Sequence, residues 1–341
     1  MATTEPIDYT QITILLTVST VLTGISVVAV LTRSWIRFGV LKKAGMDDWM
    51  SVGALIFTLG YLATLYIGKV KGMGTPMGTI SLANKEALLQ LTFAIELLYY
   101  LVLSCVKSSI VFMYDRFAIS DTFKNLCKGT NGLLAIFFII CIGVVVGQCT
   151  PLQKAWDLSR YVPGSCINTT AFFYFTSIFG IILDLWILMI PIPTLKHLQI
   201  SKRSRHVLYG IFGVGGLATA FSCARLYSIH TYTLAADPFR DSILVNVWSM
   251  VEINVAIWCA SAPALKPLFS PRRFLDSAKS SSSRNYHNVN HPGISKNGTD
   301  GSTSQSHINP MHSDNYSVSP RGSLHGPEDN IELQRPGQAH V

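Results

Sequence analysis

The chain has 341 residues, of which 49% are hydrophobic and only 13% charged, about half the charged share of a soluble domain. That composition argues against a water-soluble globule. Residues 1–275 carry 22 Lys and Arg against 13 Asp and Glu. These basic residues sit in short connections between apolar runs and form no continuous face, which points to a lipid partner and away from nucleic acid.

A bilayer core of roughly 30 Å takes about 20 apolar residues in a helix. Seven segments have that length, near 12–32, 48–68, 89–113, 131–150, 171–193, 207–230 and 242–264. The expected fold is therefore an all-α membrane protein. It has a short extracellular N-terminus (1–11), a seven-transmembrane helix bundle (12–270) and a disordered, Ser-rich cytosolic tail (271–341), whose composition cannot bury enough apolar surface to fold. Fourteen Lys and Arg fall on the side of the first, third and fifth loops and the tail, against six on the other side. The positive-inside rule then places the N-terminus outside and the tail in the cytosol.

Taken in chain order, the first notable feature is Asp47-Asp48-Trp49, which opens the second span from the cytosolic side. Aspartates at a helix N-terminus accept orphan backbone N–H groups and complement the dipole, while Trp favours the headgroup zone. A signalling role for this cytosolic motif is the alternative. Glu96 and Lys107 lie in span 3, Asp184 in span 5, Arg225 in span 6 and Glu252 in span 7. Ionisable groups at bilayer depth are expensive and so pair or line a polar cavity. Their depths suggest two clusters, Lys107 with Asp184, and Arg225 with Glu252 or Glu96. These five residues form either a ligand or switch site or a set of static ion pairs that holds helix order.

Span 3 ends in Tyr114-Asp115-Arg116, read as a solvated helix-end charge pair. Cys149, at the end of span 4, and Cys166, in the following loop, both fall on the oxidising side and can form a disulfide. Asn168-Thr169-Thr170 is a glycosylation sequon on the same side, whereas the sequons Asn297-Gly298-Thr299 and Asn315-Tyr316-Ser317 lie in the tail and are expected to stay unmodified. Gly216, Ala220 and Ala224 form a small-residue stripe suited to close packing of span 6. No cofactor or metal is expected. Span 7 lacks a lysine for a retinal Schiff base, and of nine histidines only His230 lies in a span.

The chain also resembles the fungal seven-helix, rhodopsin-domain integral membrane proteins. The matching pieces run in order over about 20–270. They include Gly45-Met46-Asp47-Asp48-Trp49, Val106-Lys107-Ser108-Ser109-Ile110, Gln148-Cys149-Thr150-Pro151-Leu152 with Trp156, and Pro163-Gly164-Ser165-Cys166. Asp184, Pro191-Ile192-Pro193, Leu198, Phe212, Arg225-Leu226, Trp248, Glu252, Pro263-Ala264-Leu265 and Pro267-Leu268 complete them. The resemblance implies a receptor-like protein, since the family includes members linked to sensing of surfaces and nutrients.

The function expected is thus that of a multi-pass plasma-membrane receptor, sensing an unknown extracellular ligand and coupling to a heterotrimeric G protein, with no enzymatic activity. The alternative is a secondary transporter that uses the buried charges.

Overall fold

The computed structural model describes residues 10–40, 42, 44–118, 120–158, 162–192, 202–234 and 238–265, most of them α-helical. All lie within one of the chain's two units, Met1–Asn285. The N-terminus through residue 9 and the expected tail at 271–341, with its sequons, lie outside the described residues.

Seven long helices occur among the described residues: α1 (Thr10–Ser34), α2 (Met46–Lys71), α3 (Leu82–Phe117), α4 (Asp121–Val146), α5 (Thr169–Met189), α6 (Lys202–Thr233) and α7 (Pro238–Leu265). α1 runs on as a π-helical turn, Trp35–Val40. Six of the seven, α1 to α5 and α7, are long and apolar enough to cross a membrane by length and composition.

Local chemistry sets the helix ends. Gly72, left-handed at φ 97°, closes α2, and the Met73 N–H turns back to the Gly68 carbonyl at 2.8 Å, as in a Schellman cap. The Ser81 hydroxyl accepts from the Asn84 N–H at the start of α3. α4 begins ten residues before its expected start at 131, because the polar stretch from Asp121 is helical without being apolar. It also stops earlier than expected: Gly147 caps it, and Cys149 lies beyond the helix in a strand. α5 ends at Met189 with a break at Ile190, and Pro191, which has no N–H to continue the ladder, and Ile192 are helical again.

Between α4 and α5, β1 (Cys149–Thr150) pairs antiparallel with β2 (Ser165–Cys166), with Cys149 opposite Cys166. Trp156 in the intervening loop packs edge-on against Phe93 of α3, with ring centroids 6.2 Å apart.

α1, α2, α3 and α7 share the main apolar core, which includes Leu15, Ala54, Leu65, Val102, Met250 and Ile253. A smaller core of Val111, Cys127, Leu134, Leu183 and Ile187 joins α3, α4 and α5. α7 is the central helix: 61% of its apolar window is buried, against 22–33% for the other five spans. The outer faces are also apolar. Ile14, Val21, Ile25, Val28 and Leu31 of α1 and Phe175, Ile178 and Ile182 of α5 are exposed, an arrangement that suits lipid and is costly in water.

Candidate functional site

The polar residues of the bundle point inward and meet. Lys107 Nζ of α3 lies 2.8 Å from Asp184 Oδ1 of α5 and donates to the Gly180 carbonyl at 2.9 Å. The Ser222 hydroxyl of α6 sits 3.2 Å from Asp184 Oδ2 and 2.7 Å from Glu252 Oε1 of α7. It has one hydrogen to donate and two carboxylates within reach. Tyr99 donates to Glu252 Oε2 at 2.9 Å. Arg225 Nε of α6 is 3.9 Å from the same oxygen and donates to Ser249 Oγ at 3.1 Å, while Nη1 donates to Ser177 Oγ at 3.2 Å. The Arg225 guanidinium also lies over the Tyr99 ring, 3.9 Å from its centroid, a cation–π contact.

Depth along the helices suggested two separate clusters. In the structure Lys107 meets Asp184 and Arg225 approaches Glu252, and Ser222 joins the pairs into one continuous chain across α3, α5, α6 and α7. Ser222 was missed because a serine in a span reads as a small filler. Its spacing of three residues from Arg225, on the same helix face, was the available signal. Glu96 stands apart: it forms no hydrogen bond and no ion pair within 4.0 Å among the described residues, although it lines a cavity with Arg225.

Among the described residues, cavities border this charge chain. One of about 540 Å³ is lined by Tyr99, Lys107, Ser177, Arg225 and Glu252. A second, of about 570 Å³, includes Lys107, Asp184, Ser222 and Cys259. The third, of about 670 Å³, includes Tyr61, Glu96, Tyr100, Arg225 and Asn246. Among the described residues, no group of three or more His, Cys, Asp or Glu is arranged to hold a metal ion.

A second buried charge cluster lies where α1 ends and α2 begins. Arg33 reaches Asp48 Oδ1 through Nε at 3.0 Å and Asp47 Oδ2 through Nη2 at 2.9 Å, and its Nη1 donates to the Ala260 carbonyl of α7. Arg116 of α3 is 3.4 Å from Asp47 Oδ1 and 3.9 Å from Asp48 Oδ2. Asp48 Oδ2 also accepts the Gly45 N–H at 3.1 Å. The aspartates thus clamp α1, α2 and α3 as well as capping a helix. Arg116 is not merely a solvated helix-end charge, and Arg33 is a buried helical residue and not a loop charge. Trp49 remains exposed, beyond the clamp, with its ring edge-on to Phe38 at 5.6 Å.

Cys149 and Cys166 are disulfide-bonded. Asn168 is exposed and caps α5, its Oδ1 accepting the Ala171 N–H at 3.1 Å. In α6, Gly216 and Ala220 face outward, so they do not form the expected packing stripe. Gly215 is the close-approach position, where an added Cβ would come within 2.7 Å of Leu188 Cδ1 of α5.

Apolar helices with charges inside and bare aliphatic side chains outside define a multi-pass membrane protein. The chain belongs to the fungal rhodopsin domain family, which it matches over residues 32–271; the resemblance read from the sequence is borne out. Among its relatives, it is 24% identical to Receptor GIN3 of Arthrobotrys oligospora over 73% of this chain and 60% of that protein. It is 25% identical to the polyenoic acids biosynthesis gene cluster protein Ba17b of Metarhizium anisopliae, over 73% of this chain and 71% of that one. A SAT4 family membrane protein of Emericella nidulans is 27% identical over 74% of this chain and 62% of its own length. The chain thus spans about three fifths to seven tenths of these relatives.

Proposed function

We propose that this protein is a plasma-membrane receptor whose seven helices cross the bilayer with the N-terminus outside, and that it couples an extracellular ligand to a heterotrimeric G protein without enzymatic chemistry. The observation that carries this reading is the charge chain Lys107–Asp184–Ser222–Glu252–Arg225, which links four helices and borders cavities inside the bundle. A ligand entering those cavities competes for the same charges, and a change in pairing shifts the helices that carry them. Only differential contact with two arrangements lets a ligand shift the balance between them. The name of the relative GIN3 agrees with a receptor.

The test is ligand-dependent nucleotide exchange on a G-protein α subunit by the full chain in nanodiscs, run beside the single charge reversals at Lys107 and Asp184 and the double swap Lys107→Asp with Asp184→Lys. Each single reversal is expected to impair folding. The double swap is expected to restore folding without restoring exchange. Complete rescue of exchange makes the pair structural. Absence of exchange with any cue, together with gradient-driven solute uptake into proteoliposomes, replaces the receptor with a secondary transporter.

A further inference from the structure

The buried charges around the cavities do not balance. Lys107 is matched by Asp184 at 2.8 Å and Arg225 by Glu252 at 3.9 Å. Glu96 is the fifth ionisable group; it is half-buried, and among the described residues no cation lies within ion-pair distance of it, so its ionised form puts the set one negative charge in excess. A carboxylate in a low-dielectric interior is costly without a counter-ion.

Glu96 lines the cavity of about 670 Å³ between α2, α3, α5, α6 and α7, together with four tyrosines, Tyr61, Tyr99, Tyr100 and Tyr232. Three of their hydroxyls are already engaged: Tyr61 with Asn246 at 2.8 Å, Tyr99 with Glu252 at 2.9 Å and Tyr100 with Thr176 at 3.0 Å. The Tyr99 ring already carries the Arg225 guanidinium, so what the wall still offers a ligand is the aromatic surface of Tyr61, Tyr100, Phe173 and Tyr232. The one cation on the wall, Arg225, already has Glu252, two serine hydroxyls and the Tyr99 ring as partners. An unmatched carboxylate among aromatic rings is the combination that recognises an organic ammonium ion. An anionic ligand would instead meet Glu96 as a like charge.

We propose that this cavity binds a small organic monocation bearing an ammonium group, with Glu96 as its counter-ion. The inference deepens the receptor reading and rests on it for the cavity's role as the ligand site, but the binding itself is measured without a G protein.

Full-length protein in nanodiscs is titrated with phenethylammonium, the neutral 2-phenylethanol and the anionic 3-phenylpropionate, read by equilibrium dialysis and by the thermal unfolding midpoint. Phenethylammonium is expected to bind saturably, at least about tenfold tighter than the alcohol, a difference of about 1.4 kcal/mol, and to raise the midpoint. Glu96→Gln is expected to lose that preference, and Glu96→Asp to keep part of it. If Glu96→Gln does not fold, the comparison of cation and alcohol on the unaltered protein decides. Equal binding of the alcohol, tighter binding of the phenylpropionate, an unchanged preference in Glu96→Gln, or no ammonium binding at millimolar concentration overturns the proposal. Loss of ammonium binding with cue-dependent exchange intact removes this ligand class and leaves the receptor. Ammonium binding without exchange leaves the site and removes the receptor.

Discussion

Arg33 holds two carboxylates at once, and its side chain is only 1% exposed. Removing one partner from a buried ion pair strands the other in a medium that solvates it poorly, at a cost of about 3–5 kcal/mol. Arg33→Gln is therefore expected to lower the thermal unfolding midpoint sharply in detergent. Arg116→Gln removes a 28% exposed side chain at longer range and is expected to cost about 1 kcal/mol or less. Equal shifts for the two variants would refute the ranking. A signal for Arg33 was present in the spacing. Ser19, Thr23, Ser26, Val30 and Arg33 follow one another at three- and four-residue steps and are all buried, so the arginine continues an inward stripe of α1. Counting it as a loop charge hid this, because a positive charge at the end of an apolar run reads equally well as a topology signal. Glu96 shows the reverse case. Its presence at bilayer depth was evident from residue type and position, but its lack of a partner depends on how far Arg225 of α6 and Lys107 of its own helix reach.

The β1–β2 hairpin is the smallest element with an identifiable task. Its disulfide closes the loop that carries Trp156 onto α3. At Gly164, an added Cβ would run into the Thr150 carbonyl oxygen across the hairpin, which is why the position takes glycine. Replacing both Cys149 and Cys166 with serine is expected to cost about 3 kcal/mol in the chain-entropy account of loop closure. Faster amide hydrogen exchange at Cys149–Thr150 and Ser165–Cys166 should accompany that loss, with exchange in α1 and α2 unchanged. Unaltered exchange in the strands would show that their pairing holds without the bond. Helix boundaries were the less legible part of these elements. The first turns of α4 are polar yet helical, and hydropathy sees only the apolar portion. The small-residue face of α6 was misplaced by one position, Gly216 for Gly215, a rotation of about 100° at 3.6 residues per turn.

Across the bundle, α7 serves as the hub: it packs against α1, α3 and α6 and supplies Glu252, Ser249 and Asn254 to polar contacts with neighbours. Asn254 accepts from the Ser26 hydroxyl of α1 at 2.6 Å. The proposed orientation has a direct check. Expression in a eukaryotic secretory system should place a glycan on Asn168 and none on Asn297 or Asn315, read as a single mobility shift removed by Asn168→Gln. Sugar on either tail residue would invert the topology. Helical membrane character was legible in the unfolded chain because lipid cannot solvate backbone N–H and C=O groups, so a long apolar run has helix as its way across. The identity of the buried charges followed from the same runs, since an ionisable residue inside one needs no fold to be noticed. Their partners did not. Pairing depends on the rotation of each helix about its axis and on which helices are neighbours, and neither depth nor hydropathy contains those two quantities. Packing alone set Ser222 between two carboxylates, turned Arg33 toward Asp47 and Asp48, and left Glu96 facing a cavity without a cation of its own.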